Sequence, residues 1–491
     1  MADMLEFSAS LAQMSVVIDE ADTIPGLPFG ILSTLRTKGL LPPDGVQLFV
    51  EDDGTVDEVL LQFLLDIQTD GVSSLRSIHG YAQDLRVLKR YLRQALGKGL
   101  LDCTVGDFRQ FKRRRTSGDC AVSAVTWNRI LAACERFYGW AEERGRIAEK
   151  PFRYRAERID RPNVSRNAFA ERRVDNGIKC VTLADYEFFR DVGLRGHQPD
   201  KTVDAGFCGR FPLRNAAFAE FLVTSGARLQ EAAFALTHEL PPPMALKDPR
   251  RLTLPLASAL SKNGQRRALG LSRRVFERFL LPYMREERQL VLQQRAGKYV
   301  KACRAGDGGE PMIVIEPSRN GDGTVVVVEG GQVRKLDRID GSMRRRLIQR
   351  TLNGQLEPLA LWIGEQGLCL TLSAWEKVFA EARRRCAAYG RPLDIHPHTL
   401  RHTFAVQMLS FLVKATLGTL VEFRREHHRN PVLMQKIMMD PLRELQRLMG
   451  HRNLETTYVY LTYVTEASDL VDEAMAEWDR AFGADRLDRG V

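Results

Sequence analysis

The segment LRELQRLMGHRNLETTYVYLTYV spans residues 442–464 and has the clearest local pattern in the chain. Leucine and methionine recur at helical spacing as far as Met449, which predicts an amphipathic helix. Gly450 follows, at the position where glycine commonly ends a helix. His451 comes next, and Tyr460 lies nine residues later on a second short predicted helix. A tyrosine on such a helix is usually a core aromatic residue, so a function for this segment needs support from elsewhere in the chain.

The segment HPHTLRHTFAVQML, residues 396–409, brings histidine and arginine together at a predicted helix start. His398 and Arg401 are three residues apart, so both side chains lie on one side of this helix. The backbone N–H groups of a helix start also favour an anion. His396 and His402 lie close to His398, but without a matching carboxylate or cysteine cluster we predict no metal site.

Residues 224–236, TSGARLQEAAFAL, predict the end of one helix and the start of another. Gly226 ends the first helix, and Arg228 begins the second with Glu231 one turn later. A guanidinium beside helix N-terminal amides is well placed to bind a phosphate. Taken alone, an arginine and a glutamate at this spacing are more often a solvated pair on a helix face.

A β-hairpin is predicted in LTLPLASALSKNGQRRALGL, residues 252–271, because Asn263 and Gly264 form a strong turn signal. Lys262 lies directly before this turn. A lysine in a turn is normally just solvent-exposed, so its position alone indicates no function.

Joined in this order, the four segments resemble the tyrosine site-specific recombinases, or phage-type integrases. The pattern of that family is an arginine in a T-G-x-R-x-x-E-like stretch, a lysine in a β-hairpin, H-x-x-R, L-G-H, and a tyrosine nine residues later. The resemblance implies a catalytic set with Glu231 as its structural support: Arg228, Lys262, His398, Arg401, His451 and Tyr460. The chain departs from the pattern in having Met449 before Gly-His and a longer interval between Arg401 and His451.

The resemblance implies DNA breakage and rejoining through a covalent 3′-phosphotyrosine intermediate, with Tyr460 as nucleophile and Tyr458 as second choice. Arg228 and Arg401 stay protonated and suit the charge that develops on the phosphate oxygens. Lys262 is expected to protonate the leaving 5′ oxygen, and one of the two histidines of the set to accept the tyrosine proton. No cofactor or metal is expected, and the chain has no GxxxxGK[ST] loop for ATP.

Composition agrees with a nucleic-acid partner. The first 70 residues contain 13 acidic and two basic side chains, so the rest of the chain is more basic than the net charge of +10. So basic a region is typical of proteins that bind a polyanion such as nucleic acid. The eight cysteines form no CxxC pair, and neither a signal peptide nor a membrane span is recognisable. We therefore expect a cytoplasmic, nucleoid-associated protein with no membrane contact.

We predict a mainly α-helical fold with a small β-sheet in an α+β catalytic domain, arranged as a two-domain DNA clamp. The predicted parts are an acidic N-terminal segment at 1–55, a helical core-binding domain at 56–160, and a catalytic domain at 175–485 with an insertion at 285–355. Glycine-rich turns and two apolar β-type runs, MIVIEP and TVVVVE, indicate the insertion.

A basic run in the predicted helical domain is expected to contact DNA phosphates, namely Lys112, Arg113, Arg114 and Arg115. Thr126, Asn128 and Arg129 begin a helix that can enter the major groove. The expected partners are double-stranded recombination sites and a homo- or hetero-tetramer on DNA, with accessory or partner recombinase subunits. A predicted helix at 466–482 docks either on a neighbouring protomer or on its own core.

Three alternatives stay open. One is strand nicking and closing without partner exchange, as in type IB topoisomerases. Another is a DNA-binding architectural or regulatory protein that retains the fold but does not cut. The third is a basic helical scaffold whose matches to the motifs are due to chance.

Overall fold

The computed structural model describes residues 6–7, 31–40, 48–49, 55–70, 75–118, 121–156, 165–172, 177–240, 251–261, 264, 266–295, 299, 313–319, 325–329, 332–425 and 440–463. The chain divides into two compact units, residues 1–176 and residues 177–491. The predicted fold class, mainly α with small β-sheets, is confirmed. Within the described ranges, no helix combines the length and the apolar character that a membrane crossing requires.

Helices dominate the first unit. They are α1 (Ile31–Thr37), α2 (Glu58–Thr69), α3 (Leu75–Tyr91, continued by a π-helical turn at Leu92–Leu96), α4 (Val105–Thr116) and α5 (Ala124–Glu143). Two short antiparallel strand pairs accompany them, β1 (Glu6–Phe7) with β2 (Leu48–Phe49) and β3 (Tyr154–Ala156) with β4 (Ser165–Asn167).

Side-chain caps fix where these helices begin. Asp57 accepts the Leu60 N–H at 3.0 Å at the start of α2. Thr104 and Asp107 form a reciprocal capping box on α4, and the Ser123 hydroxyl caps α5. Each cap satisfies a backbone donor that the helix leaves unpaired and contributes about 1 kcal/mol. The helices α2 to α5 all lie within the range predicted to be helical, residues 56–160.

The region around Pro151 and Pro162, rich in arginine and asparagine, is predicted from its composition to be a linker, but its described part is structured. It contains the β3–β4 pair, and the chain beyond that pair returns to α5. The Trp127 indole N–H donates to the Phe169 carbonyl at 2.8 Å, and Phe152 packs edge-on against Phe108 with ring centroids 4.8 Å apart. The linker prediction was wrong because aromatic residues on either side of the proline-containing stretch are buried in the core of the first unit.

The helices of the second unit are α6 (Leu183–Phe188), α7 (Pro212–Ser225), α8 (Leu229–Ala233), α9 (Arg273–Val275), α10 (Leu281–Tyr283), α11 (Gln289–Arg295), α12 (Gly341–Arg344), α13 (Leu372–Ala388), α14 (Pro397–Arg425), α15 (Pro441–Met449) and α16 (Glu455–Tyr458). Wide π-helical turns at Phe189–Leu194, Phe276–Leu280 and Met284–Arg288 extend α6 and join α9 to α11. Single 3₁₀ turns occur at Thr237–Glu239, Ser258–Leu260, Leu336–Arg338 and Leu461–Tyr463.

The strands of this unit form two separate sheets. β5 (Arg251–Leu256) and β6 (Arg267–Ser272) are antiparallel, which confirms the predicted hairpin. β7 (Ile313–Arg319), β8 (Val325–Glu329), β9 (Gln332–Lys335), β10 (Leu347–Arg350) and β11 (Leu356–Pro358) form a five-stranded sheet in the order β11-β10-β7-β8-β9. Only the β7–β10 pair is parallel among these strands. Most of this sheet falls within the insertion predicted at 285–355, so it is called the inserted sheet. It has its own small apolar core around Ile315, Val327 and Leu347.

Two glycines bring distant segments together. Gly226 ends α7 with φ of +64°, and a Cβ there would lie 2.3 Å from the Phe404 ring on α14. Gly450 ends α15 with φ of +62°. Glycine adopts this left-handed backbone without the steric cost that other residues meet. Since α14 packs against both α7 and α15, the residues that follow the two glycines meet beside the first turns of α14.

Candidate active site

Arg401 lies at the centre of this meeting point and is 3% exposed. Its guanidinium donates to the carbonyl of Gly226 and, at 2.6 Å, to the carbonyl of Met449. The same group lies 3.4 Å from Nε2 of His451. Burial and two neighbouring arginines lower the pKa of Arg401, which still stays protonated at neutral pH. The side chain therefore ties the ends of α7 and α15 together while placing a positive charge beside His451.

Arg228 occupies the N-cap position of α8 and is held by Glu231. One carboxylate oxygen of Glu231 accepts the Arg228 backbone N–H at 2.7 Å, and the other accepts its guanidinium at 2.9 Å. Glu231 also pairs with Arg267 on β6, and Arg267 donates to the Leu448 carbonyl at 2.6 Å. A single buried carboxylate thus positions two arginines.

Two guanidiniums cap the C-terminus of α15. Arg267 donates to the Leu448 carbonyl, and Arg401 donates to the Met449 carbonyl. The last carbonyls of a helix have no partner within it, and the helix dipole favours positive charge there. This double cap fixes the point at which Gly450 turns the chain toward His451.

Replacing Glu231 with glutamine is expected to destabilise the second unit by about 3–5 kcal/mol, because two buried or half-buried guanidiniums lose their shared counter-charge. Burial by itself raises the pKa of Glu231, but the charge of Arg267 and the contacts of Arg228 outweigh it and lower that pKa overall. The stabilisation is therefore present above the ordinary glutamate pKa of about 4.3 and is lost as the pH falls through the lower folded-state value.

Urea unfolding of the wild type and Glu231→Gln at several pH values measures this effect. The difference in the free energy of unfolding should be largest near neutral pH and shrink in acid. Glu381→Gln is the matched control, since that side chain is 70% exposed and pairs only with Arg384. Equal effects of the two substitutions would contradict a structural role for the buried carboxylate.

His451 follows the turn at Gly450, and both of its ring nitrogens lie close to other side chains that orient the ring. Its Nδ1 lies 2.9 Å from the hydroxyl of Thr457, which is fully buried in α16. Its Nε2 faces Arg401. Burial and the charges of the nearby arginines lower the pKa of His451 to about 4, so the imidazole is neutral at pH 7.

Tyr460 is 3% exposed, and its ring belongs to the apolar cluster between α14 and α15. It lies in the turn after α16 and not on a helix as predicted, because α16 ends at Tyr458. The Tyr460 hydroxyl lies 3.0 Å from Nδ1 of His402, and its ring lies nearly parallel to that of His451 with centroids 6.2 Å apart. Burial raises the pKa of Tyr460, while the charges of Arg401 and Arg228 oppose that rise.

The two neighbouring tyrosines have other surroundings. Tyr458 is 48% exposed on the surface of α16. The Tyr463 hydroxyl accepts the backbone N–H of Ile178 at 2.5 Å, which ties the end of the site to the start of the second unit. Of the three tyrosines in this segment, Tyr460 is the one in contact with the histidines of α14.

His398 and His402 of α14 form a pair, whereas His396 lies just before this helix. His398 and His402 are one turn apart with ring centroids 4.2 Å apart, and burial together with the His398 and Arg401 charges lowers the pKa of His402 to about 4. His396 instead contacts Asp394 at 3.0 Å and Arg383 at 2.7 Å. Across the described ranges, no group of three or more histidine, cysteine or acidic side chains is arranged to hold a metal ion.

Five of the six residues in the predicted catalytic set are described, and the fold brings them together from three segments: Arg228, His398, Arg401, His451 and Tyr460. Lys262 lies outside the described residues. Two contributors did not emerge from the sequence, His402 and Arg267. His402 lies four residues after His398, and this helical spacing was the signal that could have identified it. Nothing in the sequence around Arg267 distinguishes it from Arg266.

In the first unit, the predicted DNA-contacting residues differ in their surroundings. Arg113 and Arg114 are exposed, and Lys112 pairs with Glu171 at 2.7 Å. Arg129 pairs with Asp84 at 2.7 Å. The remaining members, Arg115, Thr126 and Asn128, are partly buried.

Two of these groups are held by local hydrogen bonds. The side-chain amide of Asn128 exchanges two hydrogen bonds of 2.9 Å with the Glu171 backbone, so both its donor and its acceptor are engaged. The Thr126 hydroxyl lies 3.0 Å from that of Ser123 at the start of α5. A cleft of about 250 Å³ between α3 and α4 is bordered by four arginines and two aromatic rings: Arg86, Arg90, Arg114, Arg115, Tyr91 and Phe111.

Comparison with known proteins gives one match to a family model. Residues 60–145 match the phage integrase N-terminal SAM-like domain. No curated protein sequence matches the chain.

Several solved structures resemble the chain at low sequence identity. XerH site-specific recombinase bound to difH DNA is 15% identical, with a TM-score of 0.44 over 83% of this chain and 81% of the other. The Tn1549 transposon integrase with circular intermediate DNA is 14% identical, with a TM-score of 0.41 over 82% and 94%. Lambda integrase bound to a core site is 12% identical, with a TM-score of 0.41 over 82% and 93%.

The domain match and the site lie in different units of one chain. Residues 60–145 lie in the first unit, whereas the second unit gathers the arginine, histidine and tyrosine side chains of the site. The comparisons therefore show a phage integrase N-terminal SAM-like domain within the first unit.

Proposed function

We propose that this protein cleaves and rejoins DNA strands through a covalent 3′-phosphotyrosine intermediate, with Tyr460 as the nucleophile. One observation carries the proposal: the buried Tyr460 hydroxyl lies 3.0 Å from a neutral histidine within a site that holds Arg228 and Arg401. A tyrosine oxygen with a proton acceptor on one side and positive charge nearby is equipped to attack a phosphodiester.

The reaction is an exchange of phosphoesters. The Tyr460 oxygen attacks the scissile phosphorus, the bond from phosphorus to the 5′ oxygen breaks, and the DNA strand stays attached through its 3′ phosphate. The tyrosine loses its proton, and the leaving 5′ oxygen gains one, a role that we assign to Lys262. Attack of a 5′ hydroxyl on the phosphotyrosine reverses each of these steps, so religation needs no nucleotide.

Positive charge stabilises the transition state of this exchange. Arg228 and Arg401 are held by fixed partners, so they need little reorganisation when negative charge builds up on the phosphate oxygens. His398 and His451 add hydrogen bonds to the same oxygens. With Tyr460 only 3% exposed, binding of DNA has to open a path between the hydroxyl and the phosphate.

His402 is the residue that we assign as the acceptor of the Tyr460 proton. The low pKa of His402 keeps its ring neutral at pH 7, and in the tautomer without a proton on Nδ1 this nitrogen accepts from the Tyr460 hydroxyl 3.0 Å away. The cleavage rate of the wild type is therefore expected to vary little with pH between about pH 6 and pH 9.

His402→Ala and His402→Asn test this assignment. The asparagine oxygen occupies nearly the position of Nδ1 and keeps a hydrogen-bond acceptor, but it takes up no proton. Both variants are expected to cleave about 10²-fold more slowly at neutral pH and to gain rate as the pH rises toward the tyrosine pKa. The measurement is single-turnover adduct formation across this pH range. A wild-type profile for His402→Asn would show that the histidine only positions the hydroxyl.

The proposal also includes the residues of the first unit that are predicted to contact DNA. We assign phosphate contacts to the basic run from Lys112 to Arg115, whose members Arg113 and Arg114 are exposed. Thr126, Asn128 and Arg129 are proposed to face the groove, which requires the two local contacts of Asn128 and Arg129 to open.

The match of residues 60–145 to the phage integrase N-terminal SAM-like domain supports the wider role. We propose that the protein acts on paired recombination sites as a tetramer and serves the integration, excision or transposition of a mobile element. The helical domain at 56–160 and the catalytic domain at 175–485 would then enclose the DNA as a clamp.

The deciding experiment traps the covalent intermediate. Purified protein is mixed with duplex DNA carrying the sequences that flank its own gene, denatured and digested, and its peptides are analysed by mass spectrometry. A 3′-linked nucleotide on the Tyr460 peptide is the expected result. Relaxation of supercoiled DNA without a defined site would favour the topoisomerase-like alternative. Tight DNA binding without any adduct would favour the architectural alternative.

A further inference from the structure

The inserted sheet presents a basic turn next to the β5–β6 hairpin. The turn comprises β9 and the 3₁₀ turn after it, residues 332–338, and Arg334, Lys335 and Arg338 are exposed on it. The Asp337 carboxylate pairs with Arg266 at 2.7 Å, and the Asp337 carbonyl accepts the Ser258 hydroxyl at 3.1 Å. The turn is therefore attached to both sides of the hairpin.

The same hairpin reaches the candidate active site through the next residue. Arg266 contacts the basic turn, whereas Arg267 pairs with Glu231, which holds Arg228. The basic turn and the candidate site thus lie on either side of one strand. A DNA strand lying in the site passes close to the hairpin and so to the turn.

The basic turn is also rigidly held. Arg344, fully buried, donates twice to the Glu239 carboxylate, at 2.8 and 3.0 Å, and to the Leu336 carbonyl at 2.7 Å. It also donates to the Phe234 carbonyl at 3.2 Å. Because residues 234–239 follow α8 directly, this arginine fastens the turn to the segment that carries Arg228. Side chains on a fixed surface lose less entropy on binding than those on a mobile loop.

We propose that the basic turn of the inserted sheet, residues 332–338, binds the DNA backbone beside the site of cleavage. The proposal rests on the proposed function. Neither Lys335 nor Arg338 forms an ion pair with any acidic residue that the structure describes, so both charges are available to phosphates. Fixed basic side chains of this kind contribute affinity and position without reading the base sequence.

Salt dependence of binding tests the proposal directly. Lys335→Gln/Arg338→Gln is made in the full-length Tyr460→Phe chain, and its affinity for a fluorescent duplex of mixed sequence is measured over a range of NaCl concentrations. The logarithm of the association constant falls as log [NaCl] rises. Loss of two phosphate contacts is expected to make the magnitude of this slope smaller by about 1.8. The affinities of variant and parent should differ most at low salt.

Lys377→Gln/Arg384→Gln is the matched control, since it removes the same charge from the exposed face of α13. An equal change in both double variants would overturn the proposal, because net charge alone would then explain the result. An unchanged slope in Lys335→Gln/Arg338→Gln would also overturn the proposal. The turn would then be a candidate site for an acidic protein partner. Lys335→Arg/Arg338→Lys should restore the slope of the parent.

Two readouts separate this proposal from the proposed function. Lys335→Gln/Arg338→Gln with Tyr460 intact should form the covalent adduct at the wild-type rate when DNA is saturating at low salt. An unchanged slope together with a wild-type adduct overturns the DNA-binding role of the turn alone. Failure of the parent chain to bind DNA overturns both proposals.

Discussion

Replacement of Tyr460 by phenylalanine is expected to abolish the covalent protein–DNA adduct while leaving DNA binding unchanged. The phenyl ring fills the same place in the apolar cluster between α14 and α15, so the fold is retained. Loss of the hydrogen bond to His402 costs about 1 kcal/mol of stability. The adduct is lost because phenylalanine has no oxygen that could attack the phosphorus.

Tyr458→Phe is the matched control, two residues away on the surface of α16. Its side chain is 48% exposed, so its substitution should change neither the adduct nor the stability. Both variants are assayed for adduct formation on denaturing gels and for DNA affinity by fluorescence. An adduct that persists in Tyr460→Phe and disappears in Tyr458→Phe would transfer the role of nucleophile to Tyr458.

Arg401→Ala is expected to slow cleavage by about 10²- to 10³-fold, the usual cost of removing one fixed donor from a transition-state site. It should also destabilise the second unit, because the carbonyls of Gly226 and Met449 lose a buried partner. Each such unsatisfied group costs about 1–3 kcal/mol. Arg401→Lys keeps the charge but cannot reach both carbonyls, so it should recover only part of either loss.

The effects of the Arg401 substitutions on the cleavage rate and on stability have to be separated. Single-turnover adduct formation is therefore measured at a temperature well below the melting transition of each variant. Arg443→Ala on α15 is the control, since its side chain is 78% exposed. A variant that melts early yet forms the adduct at the wild-type rate would restrict Arg401 to a structural role. A slow reaction in a stable Arg401→Lys variant would support a direct role in catalysis.

Much of the local structure could be predicted from periodicity and caps. Apolar spacing located α15, and the Asn-Gly signal located the β5–β6 hairpin. Gly226 and Gly450 were predicted as helix ends, and both have the left-handed backbone that makes glycine suitable there. These predictions succeeded because caps and helix ends depend on residues within a turn of one another.

The contacts of the site could not be predicted in the same way. Nothing local distinguishes Arg267 from Arg266, yet one pairs with buried Glu231 and the other with Asp337 of the inserted sheet. His402 looked like one of three clustered histidines, and its contact with Tyr460 joins residues 58 positions apart. The position of Tyr460 just beyond α16 likewise depends on the apolar cluster into which its ring packs.

The sequence by itself determined the types of residue available for the chemistry, their order along the chain, and, except for Tyr460, the helices and turns on which they lie. The tertiary structure alone decided which side chains meet, which are buried, and therefore which imidazoles are neutral and which guanidiniums are fixed. The physical reason is that helix and turn signals act over a few neighbouring residues. Burial and charge pairing instead depend on contacts such as Arg401 with Gly226, which join segments 175 residues apart.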